Sequence, residues 1–448
     1  MSPTETHGAD PPDGQSGQEG DKMGNSGAST VECRQKQDRP VAVEKVETLI
    51  VGGGQAGLMM SAQLRQRGRP HLIVERHRIA ERWRTERWDA LHANGPAWHD
   101  RFPDLLIAGV DPDGFATRDQ MVDYFTAYAA HIAAPVRCGI DVIALHRKPD
   151  GSGFHAETSA GPIEATNVVA ATGPFQHGLI PPLVPPDAGI MQMHSTAYRN
   201  PDQLPPGAVL VVGAGSSGTQ IADELVRAGR RVYLCVGQHE RPPRRYRGKD
   251  FCFWLDVLDL WDAEARDPAK EHVTIAVSGA YGGHTIDFRR LAARGITLLG
   301  RADAFANDVM RFAPGLARDL AAGDANYLSL LDAADVYAAR EGLDLPEEPS
   351  ARVMEPEASC VTSPILALDL PEAGITTIIW ATGFAFDFGW LQVGALDARG
   401  APVHRRGITE VPGLYVLGLP FLSRRASSFI FGVEKDAARL ADHIAARG

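Results

Sequence analysis

The chain has few cysteines, and none are paired in sequence. Its five, Cys33, Cys138, Cys235, Cys252 and Cys360, lie far apart with no C-x-x-C. That excludes a thioredoxin-reductase-like dithiol centre and supports neither a disulfide framework nor a zinc site. The fifteen histidines include no H-E-x-x-H or comparable spacing, so no metal ligand set is assigned. No uninterrupted apolar run reaches the roughly 18–20 residues of a membrane span. Positive charge is also short: the net charge of −11 argues against nucleic-acid or anionic-membrane partners. The first 45 residues are poor in apolar side chains and rich in Gly, Ser, Pro, Asp and Gln. They read as a disordered extension without a signal-peptide core or a transit-peptide pattern, so a cytoplasmic location is expected.

What the chain does have is one motif, twice. "VETLIVGGGQAGLMMSAQL" at 46–64 returns as "AVLVVGAGSSGTQIADEL" at 208–225. Each runs an apolar strand into G-x-G-x-x-G and then a helical pattern: Gly52, Gly54 and Gly57 first, Gly213, Gly215 and Gly218 second. The first glycine permits the tight turn, the second lets a pyrophosphate approach bare backbone, and the third lets helix and strand pack closely. Gln55 with Ala56, and Ser216 with Ser217, open the two helices, whose N–H groups face the phosphates. Two such turns predict two nucleotide sites.

The 448 residues and the strand–helix alternation from Val46 onward predict an α/β protein with two Rossmann-like dinucleotide domains. The strands ending at Ala171-Thr172-Gly173 and Ala381-Thr382-Gly383 flank the second turn, which implies an inserted second domain. The expected boundaries are 1–45 for the extension, 46–204 and 351–448 for the two parts of a first domain, and 205–350 for the insertion. "PHLIVER" ends on Glu75, where a carboxylate meets a ribose 2′-OH; a solvated loop charge is the alternative. The first turn therefore suits FAD or NAD. After the second turn, Arg241, Arg244, Arg245 and Arg247 follow the strand, either to hold the 2′-phosphate of NADP or as a solvated basic loop. This favours NADPH over NADH. A late strand carries Gly413 and Gly418. "SSFIFGVEKDAARLADHIAA" reads as a final helix with Ser427 or Ser428 near its N-cap, its positive end suited to a reduced flavin.

Together these marks resemble the two-dinucleotide-domain flavoproteins, and within them the flavin-containing monooxygenases and Baeyer–Villiger enzymes, over roughly residues 46–445. The resemblance implies FAD on Gly52, Gly54, Gly57 and Glu75, and NADPH on Gly213, Gly215 and Gly218. Thr172, Gly173, Thr382, Gly383 and Gly418 belong to the cofactor-facing strands. The family fingerprint F-x-G-x-x-x-H-x-x-x-[FY] is met in part by Gly189, His194 and Tyr198, with Asp187 in place of Phe and one extra residue before the histidine. His194 is thus either catalytic or a structural residue of the linker. "WDALHANGPAWHD" resembles the segment passing the flavin ring, which makes Asn94 the candidate near N5; an Asn-Gly turn is the alternative. Trp83 and Trp98 flank it, lining the site or packing in the core.

The activity implied is a monooxygenase. NADPH reduces FAD, the reduced flavin forms a C4a-peroxyflavin with O2, and one oxygen atom passes to a small organic substrate. The products would be those of N- or S-oxygenation, Baeyer–Villiger oxidation or hydroxylation. A flavin reductase or dehydrogenase without oxygen transfer is the rival within enzymology, and an NADP(H)-sensing binding protein the rival outside it. A homo-oligomer is compatible with the sequence, which names neither substrate nor stoichiometry.

Overall fold

A computed structural model describes residues 43–264 and 274–447, with position 274 described for its backbone alone. The extension expected at 1–45 lies outside this range except for its last residues, which belong to the first strand. In chain order the elements that build the molecule begin with β1 (Glu44–Val51), α1 (Gln55–Gln66), β2 (His71–Glu75), α2 (Arg118–His131), β3 (Val136–Cys138) and β4 (Ile163–Ala170). They continue with β5 (Met191–His194), β6 (Ala208–Val212), α3 (Ser216–Arg227), β7 (Val232–Cys235), β8 (Ile296–Leu299) and α4 (Leu316–Glu341). Strand β9 (Ile375–Trp380), strand β10 (Leu414–Val416) and helix α5 (Val433–Arg447) complete the list.

Two sheets result. In the first, β10, β4, β1, β2 and β3 run parallel in that order, with the antiparallel pair Val142–Arg147 and Phe154–Thr158 attached beyond β4. In the second, β8, β7, β6, β9 and β5 are all parallel. Both have the strand-turn-helix order of a Rossmann unit. Their central strands are apolar runs buried on both faces, as parallel sheets require.

Sheet membership does not follow the order along the chain. β9, placed by sequence in the C-terminal part of the first domain, pairs with β6 in the second sheet. β5, from the stretch assigned to the first domain, becomes that sheet's edge. Parallel pairing cannot be read from a strand's own residues, so the sequence placed both by order along the chain.

The segment 251–261 and helix α4 make a separate layer. Phe251–Val257 forms a helix capped by Asp250, and Trp254, Trp261 and Leu255 pack on Tyr327, Leu330 and Leu331 of α4. No described helix is long and apolar enough to cross a membrane.

The C-terminal helix also begins later than expected. Arg425–Ser428 is a separate turn of 3₁₀ helix and α5 starts at Val433, so neither Ser427 nor Ser428 is its N-cap. A Cβ on the intervening Gly432 would stand 1.9 Å from the Ala426 carbonyl oxygen. The backbone doubles back tightly there instead of continuing one helix.

Candidate active site

The two glycine turns are built alike at their first and third glycines. Gly52 (φ +109°) and Gly213 (φ +111°) hold positive backbone angles that side chains disfavour. A Cβ on Gly52 would meet the Ala171 carbonyl oxygen at 2.6 Å, and one on Gly213 the Ala381 carbonyl oxygen at 2.4 Å. Each turn therefore rests on its own Ala-Thr-Gly segment. The third glycines, Gly57 and Gly218, would drive a Cβ to 1.9 and 1.8 Å from the carbonyl oxygens of Gly52 and Gly213. Gly54 differs: no atom lies within 4 Å of where its Cβ would be, and its φ of −85° suits any residue. Its bare backbone faces open space, as a site for a pyrophosphate needs.

The helices agree. Neither α1 nor α3 has a side-chain cap, whereas α2 has a full capping box from Thr117 and Gln120. The N–H groups at the start of α1 and α3 are thus left for an anionic ligand. Gln55 donates to the Ser428 carbonyl oxygen at 2.5 Å, and a Cβ on Gly418 would stand 2.7 Å from the Ala56 side chain. These contacts bring the start of α1 against the C-terminal segment. Glu75 closes β2, with its carboxylate taking the Gly53 N–H at 2.7 Å and the His77 N–H at 2.9 Å. These residues fit FAD. The first turn and Glu75 would hold its pyrophosphate and ribose.

The arginines after the second turn are placed otherwise. Arg241, 2% exposed, donates twice to Asp324 of α4 (2.6 and 2.9 Å) and lies over the Tyr327 ring. Arg244, 3% exposed, grips Asp250 through two bonds of 2.5 and 2.9 Å and donates to the Asn94 carbonyl oxygen at 2.6 Å. Arg247 pairs with Asp335. The segment folds against α4 and the Asp250 cap, so Asp324 and the buried Asp250 claim Arg241 and Arg244, which are engaged within the protein. Arg245 alone of the four is exposed. Ser216 is also engaged, its hydroxyl bonding the Ile275 carbonyl oxygen at 2.7 Å.

Asn94 stands where the two halves meet. Gln220 of α3 donates from Nε2 to Asn94 Oδ1 and to the Val277 carbonyl oxygen, both at 2.8 Å. The Oε1 of this buried glutamine has no protein partner. Sequence reasoning missed Gln220, although a polar residue at an inward-facing helix position, between Gly218 and Ile221, is a readable signal. Trp83 packs against the cores of both sheets. Trp98 packs on the separate layer containing Trp261.

His194 is brought to the crossing between the sheets. The chain leaves each Ala-Thr-Gly segment into a short strand, and these two, His177–Gly178 and Phe384–Ala385, pair antiparallel. His194 donates from Nε2 to the Gly383 carbonyl oxygen at 3.0 Å, while Nδ1 accepts from the Thr196 N–H at 3.2 Å. Burial holds its pKa below the usual histidine range, the Gly383 carbonyl pulling the other way. Tyr198, fully buried, donates to Glu224 of α3 at 3.1 Å. Both ring nitrogens of His194 are committed to the crossing. Thr382 also bonds across it, to the Leu179 carbonyl oxygen, and Gln176 ties back to Thr172 Oγ1 and the Gly173 carbonyl oxygen.

Residues 49–255 match the family described as pyridine nucleotide-disulphide oxidoreductase. A CzcO-like oxidoreductase of Geobacillus kaustophilus is 32% identical over 404 residues, spanning 89% of this chain and 98% of the relative. The indole-3-pyruvate monooxygenase YUCCA1 of Oryza sativa subsp. japonica is 31% identical over 211 residues, which cover 44% of this chain and 51% of that protein. Among solved structures, the flavin-containing monooxygenase of Stenotrophomonas maltophilia superposes with a TM-score of 0.62 at 18% identity, over 90% of this chain and 99% of that one. The chain belongs to the CzcO-like oxidoreductases, and its fold is the two-dinucleotide-domain fold of the flavin-containing monooxygenase.

Proposed function

We propose that this oxidoreductase is an NADPH-consuming monooxygenase, with FAD on the first glycine turn and NADPH on the second. The observation that carries the reading is the Gln220–Asn94 hydrogen bond, which ties the segment assigned to the flavin ring to the helix assigned to the nicotinamide nucleotide. Donor and acceptor sites are thereby one hydrogen bond apart. Bound FAD would supply the two-electron chemistry by which NADPH, a proton and O2 give one oxygen atom to an organic substrate and one to water.

The protein's part is binding, orientation and exclusion of water. Gly54 and Gly215 admit the two pyrophosphates. Asn94, held through its side chain by Gln220 and through its carbonyl by Arg244, presents a fixed amide to the flavin edge. His194 acts as a positioning residue that fixes the crossing strands. Arg245 is the remaining candidate for the NADPH 2′-phosphate, and β5 and β9 are assigned to the NADPH unit together with residues 205–350.

The test is NADPH oxidation under ¹⁸O2 with panels of amines, sulfides and ketones. Label appearing in product, in step with NADPH consumed, supports the proposal. Complete conversion of the electrons to hydrogen peroxide, together with rapid anaerobic reduction of a quinone, moves the protein to the reductase reading. The sites are tested apart: Gly54→Glu is expected to purify without FAD, and Gly215→Glu to stay yellow but resist reduction by NADPH. Normal reduction of the second variant overturns the site assignment.

A further inference from the structure

Arg87 lies beside the crossing between the sheets, and the proposed reaction leaves it without a task. It follows the helical turn Glu81–Thr85 that carries Trp83. Its guanidinium carbon lies 6.0 Å from the centre of the Trp83 ring and 5.3 Å from that of Phe175, the second residue after Gly173. Phe175 in turn meets Phe384 of the other crossing strand edge-on, with 5.0 Å between ring centres. Arg87 thus sits beside both crossings, next to the tryptophan that touches both cores.

What distinguishes it is the missing counter-charge. Arg241, Arg244 and Arg289 are buried on carboxylates at 2.5–2.6 Å. Among the described residues no carboxylate reaches Arg87. The adjacent Glu86 is already paired with Arg82 at 2.5 Å. Of the five N–H donors of its planar fork, one is used, by the Glu86 carbonyl oxygen at 3.1 Å. Burial lowers its pKa to about 10, with Glu86 pulling it up and Arg82 pushing it down, so it is still charged at neutral pH. Arg87 is half-buried, and a cation with free donors, apolar rings beside it and no carboxylate in reach among the described residues is suited to an incoming anion.

We propose that Arg87 is an anion subsite beside the crossing between the sheets, taking the carboxylate or phosphate group of a molecule bound there, with Trp83 and Phe175 covering that molecule's apolar part. This deepens the monooxygenase reading by giving the ligand a charge. Its test uses equilibrium binding alone, so it stands or falls separately from oxygen transfer.

Titrate oxidised, FAD-loaded wild type, Arg87→Lys and Arg87→Met with phenylacetate, with the neutral phenylacetamide and with NADP⁺, following the flavin absorbance. For a ligand carboxylate, Arg87→Met weakens phenylacetate at least tenfold, leaves phenylacetamide and NADP⁺ within twofold, and Arg87→Lys falls between. For a nucleotide phosphate, the loss falls on NADP⁺ instead. Equal affinities of wild type and Arg87→Met for all three, or equal losses for acid and amide, overturn the proposal. If the variants lose FAD, inorganic sulfate must compete with phenylacetate or NADP⁺ on wild type, and competition with neither overturns it as well.

Discussion

Gly54 and Gly57 share one motif but answer to different physics, and substitution separates them. Gly57→Ala forces a methyl group to 1.9 Å from backbone. Overpacking of this kind costs at least about 1–3 kcal/mol, so lower thermal stability and lost FAD are expected together. Gly54→Ala has room and a permissive φ. It should melt within a few degrees of wild type as apoprotein while binding FAD more weakly, which parallel melting curves and flavin titrations will read. Arg244 belongs to the structure: Arg244→Met strands the buried Asp250, and breaking such a pair costs about 3–5 kcal/mol. A denaturant midpoint measures that loss, and Asp250→Leu in the same chain should restore part of it. Arg245→Ala, on an exposed side chain, should leave stability alone and narrow the preference for NADPH over NADH in steady-state kinetics. Glu224 gives a pH signature. Burial raises its carboxyl to about 7 in the folded protein, above the usual 4.5, so folding favours the protonated form. Stability from this group is therefore present at pH 4.5 and falls as pH rises to about 7. Glu224→Gln should flatten that slope and stabilise the protein at pH 8 more than at pH 5, as unfolding at the two pH values will show.

Among the elements, the pair of crossing strands decides how the sheets are joined. A Cβ on Gly178 would stand 2.3 Å from Nδ1 of His194, whose other nitrogen holds the Gly383 carbonyl. Gly178→Ala must therefore displace either the ring or the strand. It is expected to leave FAD content unchanged and to slow reduction of the flavin by NADPH several-fold in anaerobic rapid mixing; an unchanged rate would mean that the crossing does not position the nucleotide. The sequence showed both Ala-Thr-Gly segments but not that their continuations pair. His177–Gly178 and Phe384–Ala385 are separated by about 200 residues, and a two-residue strand leaves no periodicity to read.

At the scale of the whole molecule, cofactor and fold are linked. A ligand that binds only the folded state at a hundredfold excess over its dissociation constant adds about 2.7 kcal/mol. Removing FAD should accordingly lower the melting temperature, and adding it back should restore it in proportion to the logarithm of its concentration; scanning calorimetry checks both. The sequence by itself determined the two turns, because Gly52 and Gly213 hold positive backbone angles and Gly57 and Gly218 press on the backbone of Gly52 and Gly213 a few residues before them. It likewise placed Glu75 at the end of its strand. Only the tertiary structure decided the fate of the basic segment, since Arg241 and Arg244 meet carboxylates supplied by α4 and by the Asp250 cap. It alone set β5 and β9 in the second sheet, joined Gln220 to Asn94, and left Arg87 without an acid. Local backbone demands are written into neighbouring residues, whereas the partner of a charge or of a strand is settled by the contacts the whole chain makes as it folds.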